Sequence, residues 1–509
     1  MKQPLSRREF LQLAAISSLS LAFPRFTLAP NASQIPPNGK NILIIVFDAL
    51  SARNISLYGY LRETMPNLAR LSERAIVYQN HYAGGPFTTP GTASLLTGTL
   101  PWTHRAIRHN GMVVEPLISR NIFNAFPGYY RIAYSHNPLV NTLLEQFTGD
   151  MDAYIPRDRL FLASDGLIER LYQDDEDIAT VSWVRTIKRK EEGFSYSLFL
   201  SHLYEYYRDR QIKNLKPLFP RGLPNISGDN YFLLEQSTDW LRTQLNSLPQ
   251  PFLGYFHFLP PHFPYKTHRD FFGRFEKDGW EPPQKPEDPL TQRKSPDNLL
   301  KWRTWYDEFI LYVDREFGRL FSYLEESRLL ENTWVVFTSD HGEMFERGIS
   351  GHLTPVLHQP LVHIPLLIFE PGRKNGANVN TPTSAVDLLP TLLHASGQTI
   401  PDWIEGIVLP PFGSSSPDPG RSLYAVQAKE SEPSAPLTQA TLAHLRGRYK
   451  LMYFFGYERL GGNGERVELY DLESDPEELQ NLYPVQKALG DGLLAELKAK
   501  LAEADQLYR

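Results

Sequence analysis

Two distant stretches, NILIIVFDAL from Asn41 and TWVVFTSDHGE beginning with Thr333 after Asn332, constrain the fold of this chain more than any other feature. Each is an apolar run without polar alternation, and each stops at an aspartate, Asp48 or Asp340. A strand apolar on both faces must be covered on both faces, as strands inside a helix-flanked parallel sheet are. PFLGYFHFLPPHFPY over residues 251–265 and HIPLLIFEPG from His363 read as further strands. Between them, Tyr306, Phe309, Ile310, Val313, Phe317, Leu320, Phe321 and Leu324 recur at spacings of three and four, which predicts a long amphipathic helix. Shorter helices are expected over MPNLARLSERA, from Pro90 to about Thr97, and over AVDLLPTLLHASG. The alternation predicts an α/β fold with a large, mostly parallel sheet and helices on both faces.

The loop PPFGSSSPDPG, residues 410–420, marks a boundary. It separates a catalytic region, 41–409, from a small C-terminal α+β subdomain, 421–509. There RSLYAVQA, GRYKLMYFF and RVELYDL read as strands, and Leu493, Leu494, Leu497 and Leu501 mark one face of a closing helix. Residues 150–250 form a variable, substrate-side insertion whose aromatic segment, Phe194 to Tyr207, reads as helix core. At the other end, Arg7 and Arg8 followed by Phe10, Leu11 and a short apolar run predict a twin-arginine signal peptide over 1–32, with a linker over 33–40. That start implies a periplasmic or other extracytoplasmic location and the twin-arginine export machinery as a partner. No later run approaches the ~20 apolar residues that span a bilayer.

Composition removes several classes of function. Across 509 residues, 52 basic against 58 acidic side chains leave a net charge of −6, which gives no basic footprint for nucleic acid. The absence of cysteine excludes disulfides, thiolate metal sites and cysteine nucleophiles.

Ligands of parallel sheets collect beyond the carboxyl ends of the strands. Asp48 and the pair Asp340 and His341 stand at two such ends and are candidate metal ligands. A third element is GGPFTTPGTASLLTG, residues 84–98. A threonine before a proline suits a helix N-cap. The same position gathers unpaired N–H groups and partial positive charge, so a hydroxyl there is also placed to attack an ester whose oxyanion the helix would hold. From the residues alone both readings of Thr88 and Thr89 stand open.

Several motifs occur in a telling order: NILIIVFDAL with LYGY and MPNLARL, TTPGTASLLTGTLP, HFLPPHFPY, YVDREFGRLFSYLEE, FTSDHGE, VDLLPTLL and ELYDLESDPEELQNL. Together they resemble the sulfatase-like branch of the alkaline phosphatase superfamily, over most of residues 41–483. In that family a cysteine or serine opens the helix in the pattern Cys/Ser-x-Pro-x-Arg and is oxidised to formylglycine. Here the aligned positions hold Thr88 and Thr92, so no formylglycine is expected. A threonine hydroxyl resembles instead the nucleophile of the family's phosphotransferases and phosphodiesterases.

The resemblance implies one divalent metal ion held by Asp48, Thr88, Asp340 and His341. Ala49 stands where calcium-type sulfatases place a second aspartate. Manganese or zinc is therefore favoured over magnesium or calcium, since calcium prefers six to eight oxygens. It further implies that Thr88 attacks the ester, that His262 protonates the leaving group, and that His136 and His352 contact the transferred group. His104, His257 and His358 are read as ordinary polar positions. The expected activity is hydrolysis of a phosphate diester or phosphonate ester through a covalent Thr88 intermediate, on a small-molecule, glycan or lipid-linked substrate. Sulfate ester hydrolysis and a phosphoglycerol- or phosphoethanolamine-type transfer are the alternatives.

Overall fold

The computed structural model describes residues 39–162, 195–226, 230–291, 293–413 and 418–509. The expected signal segment, most of the linker and the 163–194 part of the insertion lie outside them.

The unbroken apolar run at the start becomes strand β1, Asn41–Phe47, every residue of which is buried. It lies near the middle of an eight-stranded sheet made with β2 (Ile76–Tyr78), β3 (Tyr130–Ser135), β4 (Ala153–Tyr154), β5 (Phe252–Phe258), β6 (Thr333–Thr338), β7 (Leu366–Phe369) and β8 (Ala377–Val379). The spatial order is β8-β2-β7-β6-β1-β5-β3-β4. The two pairings of β7 are antiparallel and all the others are parallel. The register of the central strands positions the site. Val46 stands opposite both His257 and Thr338, and His257 opposite Ser135. Four parallel strands therefore end level, and the residues after each of them open onto one edge.

Alternation along the strands divides the core. One face carries Leu43, Ile45, Phe47, Phe256, Phe258, Val335 and Phe337 against Phe309, Val313, Phe317 and Phe321 of the long helix. That helix spans Pro296–Glu326, with Ser295 accepting the Asn298 N–H as N-cap and proline in its first turn. The opposite face carries Ile44, Val46, Leu253, Tyr255 and Val336 under the helices Thr88–Thr97, Pro138–Gln146 and Leu388–Ala395.

The C-terminal unit is a four-stranded antiparallel meander, Ser422–Gln427, Ala440–Arg446, Tyr449–Phe455 and Arg466–Asp471, backed by the helix Lys487–Asp505. Its second strand is not expected from the sequence, because ATLAHLR mixes small and polar residues without a clear apolar run. Leu493 and Leu497 join Leu100, Trp102 and Ile107 in a shared core, which locks this unit onto the region after the Thr88 helix. Two exposed tyrosines, Tyr206 and Tyr207, lie on the helix Ser195–Leu215, so those positions do not fill helix core as expected.

Candidate active site

The level strand ends bring four polar groups into one buried space. Asp48 follows β1 directly, and the chain turns at once through Ala49, which adopts a left-handed φ of 61°. For a residue with a Cβ that conformation is strained, and here two bonds hold it. The Ala49 N–H donates to Asp340 Oδ1 at 3.2 Å, and the Tyr306 hydroxyl donates to the Ala49 carbonyl at 2.6 Å. The Leu50 N–H also reaches Ser339 Oγ at 2.9 Å, so the ends of β1 and β6 are tied together.

Against these ends sits the first turn of the helix Thr88–Thr97. Its close approach requires Gly91, because a Cβ there would collide with the Asp340 carbonyl. The residue preceding the helix is Phe87, and no side chain caps it. This overturns the capping reading of the two threonines and extends the helix two residues beyond the expected start at Pro90. Thr89 donates its hydroxyl to the His109 carbonyl at 2.7 Å. Thr88 turns inward: its Oγ1 is 3.2 Å from His341 Nε2 and 3.4 Å from the Asn137 side-chain amide. The uncapped first turn leaves its N–H groups directed at the same space.

His341 Nε2 lies 3.4 Å from Asp48 Oδ1 and 3.5 Å from Asp340 Oδ2. Asp48, Thr88, Asp340 and His341 thus converge, all of them buried. A fifth group joins them, one that the sequence pattern did not single out. His257 Nε2 is 3.3 Å from Asp48 Oδ2 and 3.7 Å from Asp340 Oδ2. Its clue in the sequence is a histidine on the strand face that otherwise carries Leu253 and Tyr255. The other addition is Asn137, whose amide donates to Asp48 Oδ2 at 2.6 Å.

The neighbouring His136 is not part of the cluster. Strand alternation turns it the other way, where Nε2 meets Ser237 Oγ at 3.0 Å and the ring stacks on Phe232 at 4.2 Å. Burial pushes its pKa down to about 3, so it is a neutral core residue and not the substrate contact expected of it. His352 does face the site: its ring centroid is 4.5 Å from that of His341 and 4.8 Å from that of His262. Glu343 holds its Nδ1 at 3.0 Å. His262 stands at the open side, beyond His352. His104 and His358 serve elsewhere, His104 beside Ser94 and His358 beside Glu478.

The charges explain what the cluster can hold. Burial works to raise the Asp48 pKa, but the charge of His262 and the imidazoles of His257 and His341 hold its carboxyl well below the usual range. Burial, then the nearby Asp48 charge, pushes Asp340 up. Burial tends to lower His341, yet Asp340 and Asp48 outweigh it and raise it to about 9. Two buried carboxylates beside each other call for a cation, and without a metal the His341 proton supplies one. Metal binding would displace that proton. Asp48 Oδ1 and His257 Nε2 are buried and find no hydrogen-bond partner among the described residues. Asp48, His257 and Asp340 offer ligand atoms all within 4.8 Å of one another. A buried pair of orphaned donor atoms beside two carboxylates fits a divalent cation. A cleft of about 850 Å³ is lined by Arg108, His109, Met112, Val113 and Lys429 among others; none of the cluster residues lines it, and the Thr89–His109 bond joins its wall to the Thr88 helix.

A family model described as Sulfatase matches residues 40–398. The chain belongs to the sulfatase family. A second model, N-sulphoglucosamine sulphohydrolase, C-terminal, matches residues 354–506. Sulfatase-family chains are ester hydrolases of the alkaline phosphatase superfamily, and divalent metal binding is typical of them. Among curated relatives, a choline-sulfatase of Rhizobium meliloti is 26% identical over 472 residues, covering 87% of this chain and 82% of its own. An ulvan-active sulfatase of Formosa agariphila is 25% identical over 507 residues, covering 98% and 88%. Among solved structures, a phosphonate monoester hydrolase from Silicibacter pomeroyi superposes with a TM-score of 0.62 at 20% identity, covering 92% of this chain and 96% of that one. A 2-O GAG sulfatase gives 0.61, also at 20% identity, with 91% of each chain covered. These two structures share the fold of this sulfatase-family chain.

Proposed function

We propose that this sulfatase-family protein hydrolyses phosphate diesters or phosphonate esters through a covalent ester on Thr88. The observation that carries the reading is the position of the Thr88 hydroxyl. It is buried, it opens an uncapped helix, and it lies against the Asp48, Asp340 and His341 cluster. A formylglycine hydrate can expel sulfate by elimination from its second hydroxyl. Threonine has no second hydroxyl, so the enzyme ester must be released by attack at its central atom, which in-line displacement at phosphorus accommodates.

Asp48, Thr88, Asp340 and His341 would hold the divalent cation, which when bound supplies Lewis acidity at the ester and lowers the pKa of a coordinated hydroxyl. The rest belongs to the chain's own residues. The Asn137 amide orients both Asp48 and Thr88. Thr88 Oγ1 bonds to phosphorus as the bond to the alcohol oxygen breaks, its own proton passing to water. The N–H groups of the helix start stabilise the charge that develops on the non-bridging oxygens. His262 gives a proton to the departing alcohol, and His352, fixed by Glu343, contacts the transferred group. Water then attacks phosphorus and gives a proton to His262, the Thr88 Oγ1–phosphorus bond breaks, and Thr88 takes its proton back from solvent. The twin-arginine start at Arg7 and Arg8 supports export, so the ester is met outside the cytoplasm.

The second reading, sulfate ester hydrolysis at the same site, is favoured by the names of the curated relatives, choline-sulfatase and ulvan-active sulfatase. Turnover of an aryl phosphodiester, an aryl phosphate and an aryl sulfate by the manganese- and zinc-loaded enzyme separates the two. Phosphodiester turnover, lost in Thr88→Ala and accompanied by a phosphorylated Thr88 peptide, supports the first. Sulfate turnover without phosphodiester turnover overturns it.

A further inference from the structure

Tyr255 and His257 lie two apart on β5, so their side chains leave the sheet on the same face. The Tyr255 hydroxyl is 3.0 Å from His257 Nδ1. Thr92 donates its hydroxyl to Asp340 Oδ2 at 3.3 Å. All four side chains are buried.

The Tyr255 bond engages Nδ1 and leaves the other ring nitrogen, Nε2, turned toward the carboxylates. Binding a metal through Nε2 would require the remaining imidazole proton on Nδ1, where the Tyr255 hydroxyl accepts it. Thr92, by donating to Asp340, fixes the neighbouring carboxylate. Nε2 would then be the metal-binding atom. That atom has no hydrogen-bond partner among the described residues, and it faces Asp48 Oδ2 at 3.3 Å and Asp340 Oδ2 at 3.7 Å.

We propose that His257 is a ligand of the divalent cation, its Nδ1 held by Tyr255 and its fellow ligand Asp340 held by Thr92, and that this makes the site selective for a zinc- or manganese-type ion over calcium. The proposal rests on reading the cluster as a metal site and adds to it a ligand and two positioning residues. Its chemistry is that of the donor set. Two carboxylates, two imidazoles and one hydroxyl suit first-row transition metals, whereas calcium seeks six to eight oxygens. A histidine ligand whose other nitrogen is anchored is also oriented before the metal arrives. Thr92 would thus act in the metal's surroundings and not on the substrate.

The test is metal binding to chelator-stripped protein, followed by calorimetry and by the visible spectrum of the cobalt(II) form. The unaltered protein should take one equivalent of zinc or manganese and bind calcium at least about 100-fold more weakly. His257→Ala should weaken zinc binding on the order of 100-fold and alter the cobalt bands, while Tyr255→Phe and Thr92→Val each weaken it about 10-fold. Melting of each metal-free variant provides the folding control. If His257→Ala does not fold, Tyr255→Phe decides, since it removes one oxygen and keeps the ring. Unchanged zinc affinity and cobalt spectrum in a folded His257→Ala, or in Tyr255→Phe, would overturn the proposal. So would calcium binding as tight as zinc binding in the unaltered protein. Failure of the functional reading looks different: metal binds as described, but no phosphorus ester is turned over.

Discussion

Two buried charge clusters in this protein contrast in how they are completed. At the junction with the C-terminal unit, Glu478 accepts from Lys450 Nζ at 2.7 Å and from the Gln359 N–H at 2.8 Å, with His358 Nδ1 at 3.1 Å. Arg347 donates to the backbone carbonyls of Glu477 and Glu478 beside it. Both Glu478 carboxylate oxygens are satisfied, and the Lys450 ammonium meets its charge. At the strand ends, two carboxylates share one space, and Asp48 Oδ1 and His257 Nε2 have no partner among the described residues. In the first cluster the carboxylate closes its own valences, because an unmet buried charge costs stability, and only Gln359 Nε2 and Arg347 Nε at its edge lack a partner among the described residues. In the second the open atoms are a carboxylate oxygen and an imidazole nitrogen facing two carboxylates, the atoms a cation would take.

Thr88→Ala should sharpen this contrast most. Turnover should fall by a factor on the order of 10³ or more, with the unfolding midpoint little changed. Steady-state kinetics beside a denaturation curve checks both halves.

Next in size is Glu478→Ala, which leaves Lys450 charged and unpaired in the interior and should cost about 3–5 kcal/mol. Asp48→Asn, measured in metal-free protein, should cost less, about 1–2 kcal/mol, since its charge is held by His262, His257 and His341 but opposed by that of Asp340. Equal losses in denaturant unfolding would break the comparison.

A pH series separates the clusters further. Burial opposes ionisation of Glu478, but Lys450 and His358 hold its pKa well below the ordinary value of 4.5. A depressed acid contributes stability above its unfolded pKa and loses it as pH falls through the folded one. The unaltered protein should therefore lose stability as pH drops below about 4.5, and Glu478→Gln should show a flatter slope in that window. An identical slope in the variant would remove Glu478 as its source.

The smallest effect expected is that of Thr89→Val. It removes one hydroxyl donor to the His109 carbonyl, for about 1 kcal/mol of stability, and leaves turnover within a few-fold. A loss as large as that of Thr88→Ala would reverse the roles given to the two threonines.

The legible parts of the site were those written consecutively. Asp48, Asp340 and His341 stand at the ends of strands whose apolar runs cannot be mistaken, and a threonine pair precedes the proline of a helix start, with the family resemblance pointing to Thr88. Asn137 and His257 were not legible for a common reason. A single step along a strand end exchanges the faces, which is why Asn137 and not His136 enters the cluster. His257 reaches it because the parallel register sets it level with Val46 and Ser135. The strand Ala440–Arg446 escaped notice because its burial comes from neighbours on both sides and not from a strong apolar pattern of its own.

By itself the sequence determined the layered α/β architecture, the family and the acidic strand ends, because these rest on local patterns of burial and chain direction. Tertiary structure alone decided that Asn137 and His257 join the cluster and that His136 retires into the core. Those choices depend on strand register, which arises only when distant segments come together.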